Sequence, residues 1–308
     1  MDHEDSVRLA IEEGKRSKDE GGRARVSVGV FGGTGLYQME GLSNVREVKR
    51  TTPFGDPSDV ITIGELDGTA IAFLPRHGRG HRLMPSEIPV KANVYAMKEL
   101  GVERLISVSA VGSLREEIAP LDLVVPDQLI DRTHLRDNTF FGDGLVAHVG
   151  IGDPFCEQLS ELVASAADDT GAKVHRGGTY VVTEGPAFST RAESNLYRSW
   201  GASVIGMTAL PEAKLAREAE MCFTVLATST DYDVWHEVHA DVTVDAILEK
   251  VRKNVSVSRQ VLRALVSKLR VPRHCNCGSA LASALATAPE FVPKETLERL
   301  GPIVSKYR

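Results

Sequence analysis

From Val26 to about Lys268 the chain alternates short apolar runs with stretches of helical periodicity. Val26, Val28 and Val30 are separated by Ser27 and Gly29, which is the two-residue period of a strand. Runs rich in Val, Ile, Thr or Phe predict further strands at 60–66, 70–75, 104–109, 121–126, 179–184, 203–206 and 222–230. Apolar positions three and four apart predict helices between them. One carries Val90, Val94 and Met97, with Pro89 suited to its first turn and Gly101 to its stop. A second carries Phe155, Leu159, Leu162, Val163 and Ala166 before Gly171, and a third starts near Pro211. Val244, Ile247, Leu248 and Val251 open the longest, running to about 268. Strands alternating with helices predict an α/β fold. No repeat, low-complexity tract or linker divides 26–268, so a single domain is expected over 26–308, with a C-terminal tail from about 269. The first 25 residues mix seven acids with six bases around a short apolar set (Val7, Ala10, Ile11) and read as a polar extension outside that fold.

Composition narrows the function classes. Of the 308 residues, 42% are hydrophobic and 25% charged, as in an ordinary globular protein. The formal net charge of −6 has the wrong sign for a surface that embraces nucleic acid, so an anionic ligand needs a local basic site. No run approaches the roughly 18 apolar residues of a membrane span, and the N-terminus lacks a leader's apolar segment; no membrane association and a cytoplasmic location are expected. Cys156, Cys222, Cys275 and Cys277 are too few and too unevenly spaced for a secreted disulfide framework, so reduced thiols are expected.

The basic site stands out at Arg76-His77-Gly78-Arg79-Gly80-His81-Arg82, three arginines and two histidines with no acid among them. Arginine's planar fork matches phosphate, and the glycines allow the backbone close approach. A solvated basic loop, or a His77/His81 metal pair lacking a third ligand, would explain the same run less fully. Gly32-Gly33-Thr34-Gly35 follows the first strand and superficially resembles a dinucleotide turn. A dinucleotide-binding oxidoreductase would continue into a helix and a second strand ending in a ribose-binding acid, and neither follows Leu36. A turn offering amides and the Thr34 hydroxyl to one small anion fits better. Two more strand ends carry hydroxyls: 104–109, ending at Ser109-Ala110, and 203–206, ending at Met207-Thr208 before a helix. Thr208 also suits a plain N-cap, and Met207 alone would suit core packing.

Asp231-Tyr232-Asp233 closes the strand 222–230, and extended geometry would point both carboxylates to one face. A shared site raises one pKa, which suits an acid catalyst; a solvated turn or an Asp-x-Asp metal site remains open from spacing alone. In Glu184–Glu193, Thr190 and Glu193 form a capping box. Phe188 reads equally as a stacking platform or a hydrophobic staple.

Taken together, GGTG (32–35), TPFGDPSD (52–59), RHGRGH (76–81), SAVGSLREE (109–117), DQLIDRT (127–133), EGPAFSTRAES (184–194), GMT (206–208) and DYDVW (231–235) resemble the methylthioadenosine phosphorylase branch of the purine nucleoside phosphorylase family, from about Val26 to Lys268. The resemblance implies one α/β domain with a central mixed β-sheet flanked by helices, assembled into trimers or dimers of trimers. It implies cleavage of methylthioadenosine by phosphate as co-substrate, without metal or other cofactor, in purine and methionine salvage. Phosphate would be bound by Thr34, Arg76, His77, Ser109, Ala110 and Thr208. Phe188 and Met207 would pack against the nucleoside, with Tyr232 nearby. Asp231 would act as the acid toward purine N7, and Asp233 would accept from the 6-amino group. Val244 and Leu248 would line the methylthio pocket, Ser189 would tune specificity, and His148 would come from a neighbouring subunit. Relatives acting on 6-oxopurines (inosine, guanosine) generally carry Asn where Asp231 stands, so the two aspartates favour a 6-aminopurine; a 6-oxopurine phosphorylase of the same family is the nearest alternative, and its required Asn is missing. Departures are Ala187 for Arg, Ser109 for Thr, and Ser189-Thr190 for Ser-Ser. In the tail, Cys275-Asn276-Cys277 with His274 lacks a fourth zinc ligand, so surface thiols or a strained, labile disulfide are expected there rather than a metal site. His236, His239 and Asp241 read as a helix-start surface rather than a metal site.

Overall fold

A computed structural model describes residues 26–33, 35, 36, 38–236 and 244–307, without the side chains of 244–248 and 251. Its centre is a mixed sheet of eleven strands. They are β1 (Val28–Gly32), β2 (Ser43–Val48), β3 (Ile61–Leu66), β4 (Thr69–Pro75), β5 (Arg104–Ser113), β6 (Leu123–Val125), β7 (Gln128–Arg132), β8 (Val174–Arg176), β9 (Thr179–Thr183), β10 (Val204–Gly206) and β11 (Cys222–Asp231). The main order is β2-β3-β4-β1-β5-β10-β9-β7, and β11 pairs with β5 and carries β6 and then β8. The flanking helices are α1 (Val90–Glu99), α2 (Glu157–Asp168), α3 (Arg191–Ser199), α4 (Ala209–Glu218), α5 (Val244–Lys268) and α6 (Lys294–Leu300).

Strand periodicity divides the core into two layers. Along β4, Ala70, Ala72 and Leu74 face one buried cluster while Ile71 and Phe73 face the other, as the two-residue period demands. The first cluster takes Val94 and Met97 of α1 and Ala213, Leu215 and Ala216 of α4. The second takes Leu159 and Val163 of α2 and Val261, Leu262 and Leu265 of α5. Helices thus cover both faces, which explains why β1 and nearly all of β11 are buried without alternation.

The predicted strands and helices are present, with three strands unforeseen: β2, β7 and β8. After β1 the chain enters the antiparallel β2–β3 pair instead of a helix, so the sheet has no dinucleotide-binding unit at this turn. The tail from 269 is part of the fold: Leu281, Leu300, Ile303 and Val304 are buried in the first cluster. The proposed N-terminal extension, 1–25, lies outside the described residues.

Candidate active site

The site grows from an irregularity in β5. On one edge β5 pairs with β11 through Gly112. On the other it pairs with parallel β1 only as far as Ser107, and antiparallel β10 begins at Gly112. Residues 108–111 therefore have no strand partner on that edge, although the strand itself continues to Ser113. This corrects the expectation that Ser109 and Ala110 sit at a strand end: they lie inside a strand whose neighbour changes, and alternate backbone groups face the gap. Ala110 is exposed there.

Arg76, just past β4, fills the base of this opening. Its amide donates to the Gly32 carbonyl, which ties the end of β4 to the end of β1. Arg76 is 2% exposed, and both terminal nitrogens of its guanidinium are hydrogen-bonded. Nη1 donates to Ser109 Oγ (2.9 Å) and Thr208 Oγ1 (2.7 Å), and Nη2 to the Phe31 carbonyl (2.8 Å) and Ser107 Oγ (2.9 Å). Nε lies 3.2 Å from Glu212 Oε1, and Glu212 Oε2 accepts from Ser107 Oγ at 2.7 Å. Burial pushes the Glu212 carboxyl upward, and Arg76 and the Ser107 hydroxyl pull it back. Ser109 and Thr208 also hydrogen-bond to each other at 3.0 Å, so with Arg76 donating to both, one hydroxyl of the pair keeps its proton available to donate onward. Thr208 makes no side-chain cap bond to α4, so the plain N-cap reading fails. Ser107 and Glu212 escaped the sequence reading, since neither lies in a motif and only tertiary contact reveals them.

His77 belongs to the same run. Its Nδ1 lies 2.9 Å from the Leu83 carbonyl, an acceptor only, so Nδ1 carries the hydrogen. Burial, helped by neighbouring Arg76, His81 and Arg136, lowers its pKa to about 4 against that hydrogen bond. The imidazole is neutral near pH 7, stacked on His81 at 4.2 Å, with Nε2 left as an acceptor. Arg79 pairs with Glu47 and Asp59, and Arg82 donates to the Ser58 carbonyl, so those two arginines fasten the loop. Thr34 lies outside the described residues.

The carboxylates sit at the far end of β5. Strand β11 ends at Asp231, opposite Gly112, after a register shift, and Asp233 turns into a short 3-10 segment with φ 52°. Extended geometry does not persist, and the turn itself brings the two acids together. The Asp233 amide donates to Asp231 Oδ1 (2.8 Å), and Thr230 Oγ1 donates to Oδ2 (2.6 Å). Gly112 makes room beneath them: a Cβ there would meet Asp231 Oδ1 at 3.1 Å and Asp233 Cβ at 3.3 Å. Trp235 anchors the turn, donating from Nε1 to the Ser113 carbonyl (2.8 Å) beneath the Arg198 guanidinium. Burial raises both carboxyl pKa values, and the Asp231 charge raises Asp233 further. Asp233 Oδ2 is buried with no hydrogen bond of good geometry, although the Ser194 hydroxyl lies close enough to pull the Asp233 carboxyl back down against burial.

Arg136, also unforeseen, joins the remaining loops. It is ion-paired to Glu184 (2.8 Å) and donates to the carbonyls of Met207, Leu210, Thr183 and Glu184. Met207 is thereby held beside Gly185, while Phe188 is 59% exposed. Ser189 is half-buried, and Thr190 and Glu193 form the expected capping box on α3. Tyr232 stacks on His236 at 4.7 Å and donates to the Glu116 carbonyl. His148 is exposed, on a loop whose backbone bridges to Ala284 of the tail. The Val244 and Leu248 side chains, His239 and Asp241 lie outside the described residues.

The cysteines depart from expectation. Cys277 is buried rather than a surface thiol, and all four cysteines are unbonded. Cys156 and Cys222 come from the starts of α2 and β11, so their approach to the tail is invisible to spacing along the chain.

Comparison with known proteins supplies the context for this geometry. Residues 27–267 match the family model described as the phosphorylase superfamily. An S-methyl-5'-thioadenosine phosphorylase of Geobacter sulfurreducens is 58% identical over 281 residues, covering 91% of this chain and 98% of its own. One from Koribacter versatilis is 55% identical over 283 residues, covering 92% and 97%. Among solved structures, a methylthioadenosine phosphorylase from an antarctic soil metagenomic library superposes with a TM-score of 0.87 at 47% identity, covering 91% and 99%. The Schistosoma mansoni methylthioadenosine phosphorylase in complex with adenine gives 0.79 at 35%, covering 84% and 96%.

Proposed function

The chain belongs to the phosphorylase superfamily, and from that premise we propose that it cleaves S-methyl-5'-thioadenosine with inorganic phosphate, releasing adenine and 5-methylthioribose 1-phosphate. The observation that carries this reading is the separation of two chemistries along one strand. The hydroxyl cluster at Ser109 and the carboxylates over Gly112 are three residues apart on β5, about 10 Å of strand, which leaves room for a ribose between an anion and a base. The names of the relatives support the same substrate.

Phosphate binds at the open edge of β5, taking hydrogen bonds from Ser109, Thr208, the Ala110 amide and Thr34, with Arg76 behind them and His77 alongside. Held there it is positioned to attack C1′, so catalysis rests on proximity and needs no covalent enzyme intermediate. As the bond from C1′ to N9 breaks, charge builds on the purine. Asp231, kept protonatable by burial, donates toward N7 and stabilises that charge more in the transition state than in the ground state. Asp233, whose Oδ2 lacks a hydrogen bond of good geometry, accepts from the 6-amino group. Phe188, Met207 and Tyr232 border the nucleoside, and Val244, Leu248 and Ser189 border its 5′ end. The exposed Phe188 and the 81% exposed Leu135 fit a homo-oligomer, trimer or dimer of trimers, in which His148 reaches a neighbouring site. The reaction requires no metal or organic cofactor. Among the described residues no helix is long and apolar enough to cross a membrane, which is compatible with a cytoplasmic enzyme.

A nucleoside panel with and without phosphate tests the proposal. Adenine release from methylthioadenosine should require phosphate and exceed hypoxanthine release from inosine in kcat/KM. Undiminished release without phosphate would make the protein a hydrolase, and faster turnover of inosine would make it a 6-oxopurine phosphorylase.

A further inference from the structure

At the opposite end of β11 from the carboxylates, three chain segments bring all four cysteines to one point. Cys156 directly precedes α2 and makes no side-chain cap bond to it, Cys222 opens β11, and Cys275 and Cys277 flank Asn276 in the tail. Their sulfur atoms all lie within 4.8 Å of one another, with Cys222 and Cys275 at 3.3 Å. Cys156, Cys222 and Cys277 are buried, and Cys275 is half-buried.

We propose that these four cysteines bind one zinc ion as a structural tetrathiolate site. A tetrahedron with zinc–sulfur distances of about 2.3 Å has sulfur–sulfur edges of about 3.8 Å, so shifts of at most about 1 Å close the observed cluster on an ion. Each sulfur has three near neighbours instead of one, the arrangement of a coordination sphere rather than of pairwise bonds. Four thiolates and one divalent ion leave two negative charges, and two features oppose them. Arg273 Nη1 approaches Cys222 Sγ at 3.8 Å, and the amide end of α2, twelve residues long, lies at Cys156. Four soft sulfur ligands with no open position favour zinc over magnesium or calcium and suit structure rather than catalysis. The ion would pin the start of the tail to the second core layer, where Cys156, Cys222 and Cys277 already pack.

Protein purified under reducing conditions without added metal or chelator should contain about one zinc per chain by plasma mass spectrometry. The variant Cys275→Ser/Cys277→Ser should lose at least about tenfold of that zinc and melt at a lower temperature, with methylthioadenosine turnover retained well below its melting point. A second measurement avoids any folding defect of the variant: reduced, metal-free wild-type protein titrated with cobalt(II) should develop the sulfur-to-cobalt charge-transfer and tetrahedral d–d absorption of a tetrathiolate at one equivalent. A chain lighter by four hydrogens, carrying two disulfides after aerobic and anaerobic purification alike, would overturn the proposal. So would four free thiols that take up neither zinc nor cobalt(II). Apart from that turnover control, none of these readouts depends on the nucleoside reaction.

Discussion

Replacing Glu212 with Gln probes how the anion site is held together. In the wild type the carboxylate is 1% exposed, 3.2 Å from Arg76 Nε, and accepts from Ser107 Oγ. Both neighbours present donors. A Gln of the same shape turns its carbonyl to one and its own NH2 to the other, and it leaves the guanidinium without a counter-charge. Breaking a buried pair in this way costs about 3–5 kcal/mol. At about 2.1 cal/mol/K per residue, unfolding a chain of 308 residues carries an entropy of about 0.65 kcal/mol/K, so Tm should fall by about 5–8 °C. Arg76 then shifts, Ser109 and Thr208 lose their common donor, and KM for phosphate should rise by roughly tenfold or more. Scanning fluorimetry and phosphate-dependent kinetics read the two effects separately. The double variant Arg76→Met/Glu212→Leu should recover much of the stability, because an apolar pair replaces the ions, yet show no phosphate-dependent turnover. A Tm within about 1 °C of wild type together with an unchanged KM in Glu212→Gln would refute the argument: the charge on Glu212 would then not order the site.

Other outcomes follow from the same geometry. Asp231→Asn should lower kcat/KM for methylthioadenosine by at least about tenfold and shift preference toward 6-oxopurines, measured with paired adenine and hypoxanthine assays. His77 titrates at about 4 when folded and about 6.5 when unfolded; the unfolded chain binds the extra proton between those values, so its contribution to stability is lost as pH falls from 6.5 to 4. The Tm difference between wild type and His77→Asn should therefore change sharply across that window and be constant above pH 7; a flat difference throughout would show His77 to be unshifted. Gly112→Ala places a Cβ 3.1 Å from Asp231 Oδ1, and should reduce kcat by displacing the carboxylates with little loss of phosphate affinity. Loss of phosphate affinity equal to the loss of kcat would mean that the whole strand had moved.

The sequence made some of this legible and concealed the rest for physical reasons. The strands it revealed are the central ones, where both faces are buried and β-branched residues run together. β2 (SNVREV) and β7 (QLIDR) are short edge strands held largely by backbone pairing, with at most two apolar residues each, too few to announce a strand. Arg76, Ser109 and Asp231 were found because unusual residues sit in unusual runs. Glu212 and Arg136 were not: each is an ordinary charge in its local context and acquires meaning from partners more than forty residues away. The cysteines make the same point, since two of the four are supplied by elements that spacing along the chain cannot bring together.

The change of neighbour along β5 has a further consequence for hydrogen exchange. Amides of residues 104–107 are enclosed by strands on both edges, whereas alternate amides of 108–111 open onto the cleft. A phosphate seated there accepts from them as a third strand would, so the co-substrate completes the sheet for the length of about one residue pair. Exchange slows at sites whose bonds must break before solvent can enter. Protection of this one segment should therefore rise and fall with phosphate while the rest of β5 stays unchanged, and the backbone itself becomes the reporter of occupancy.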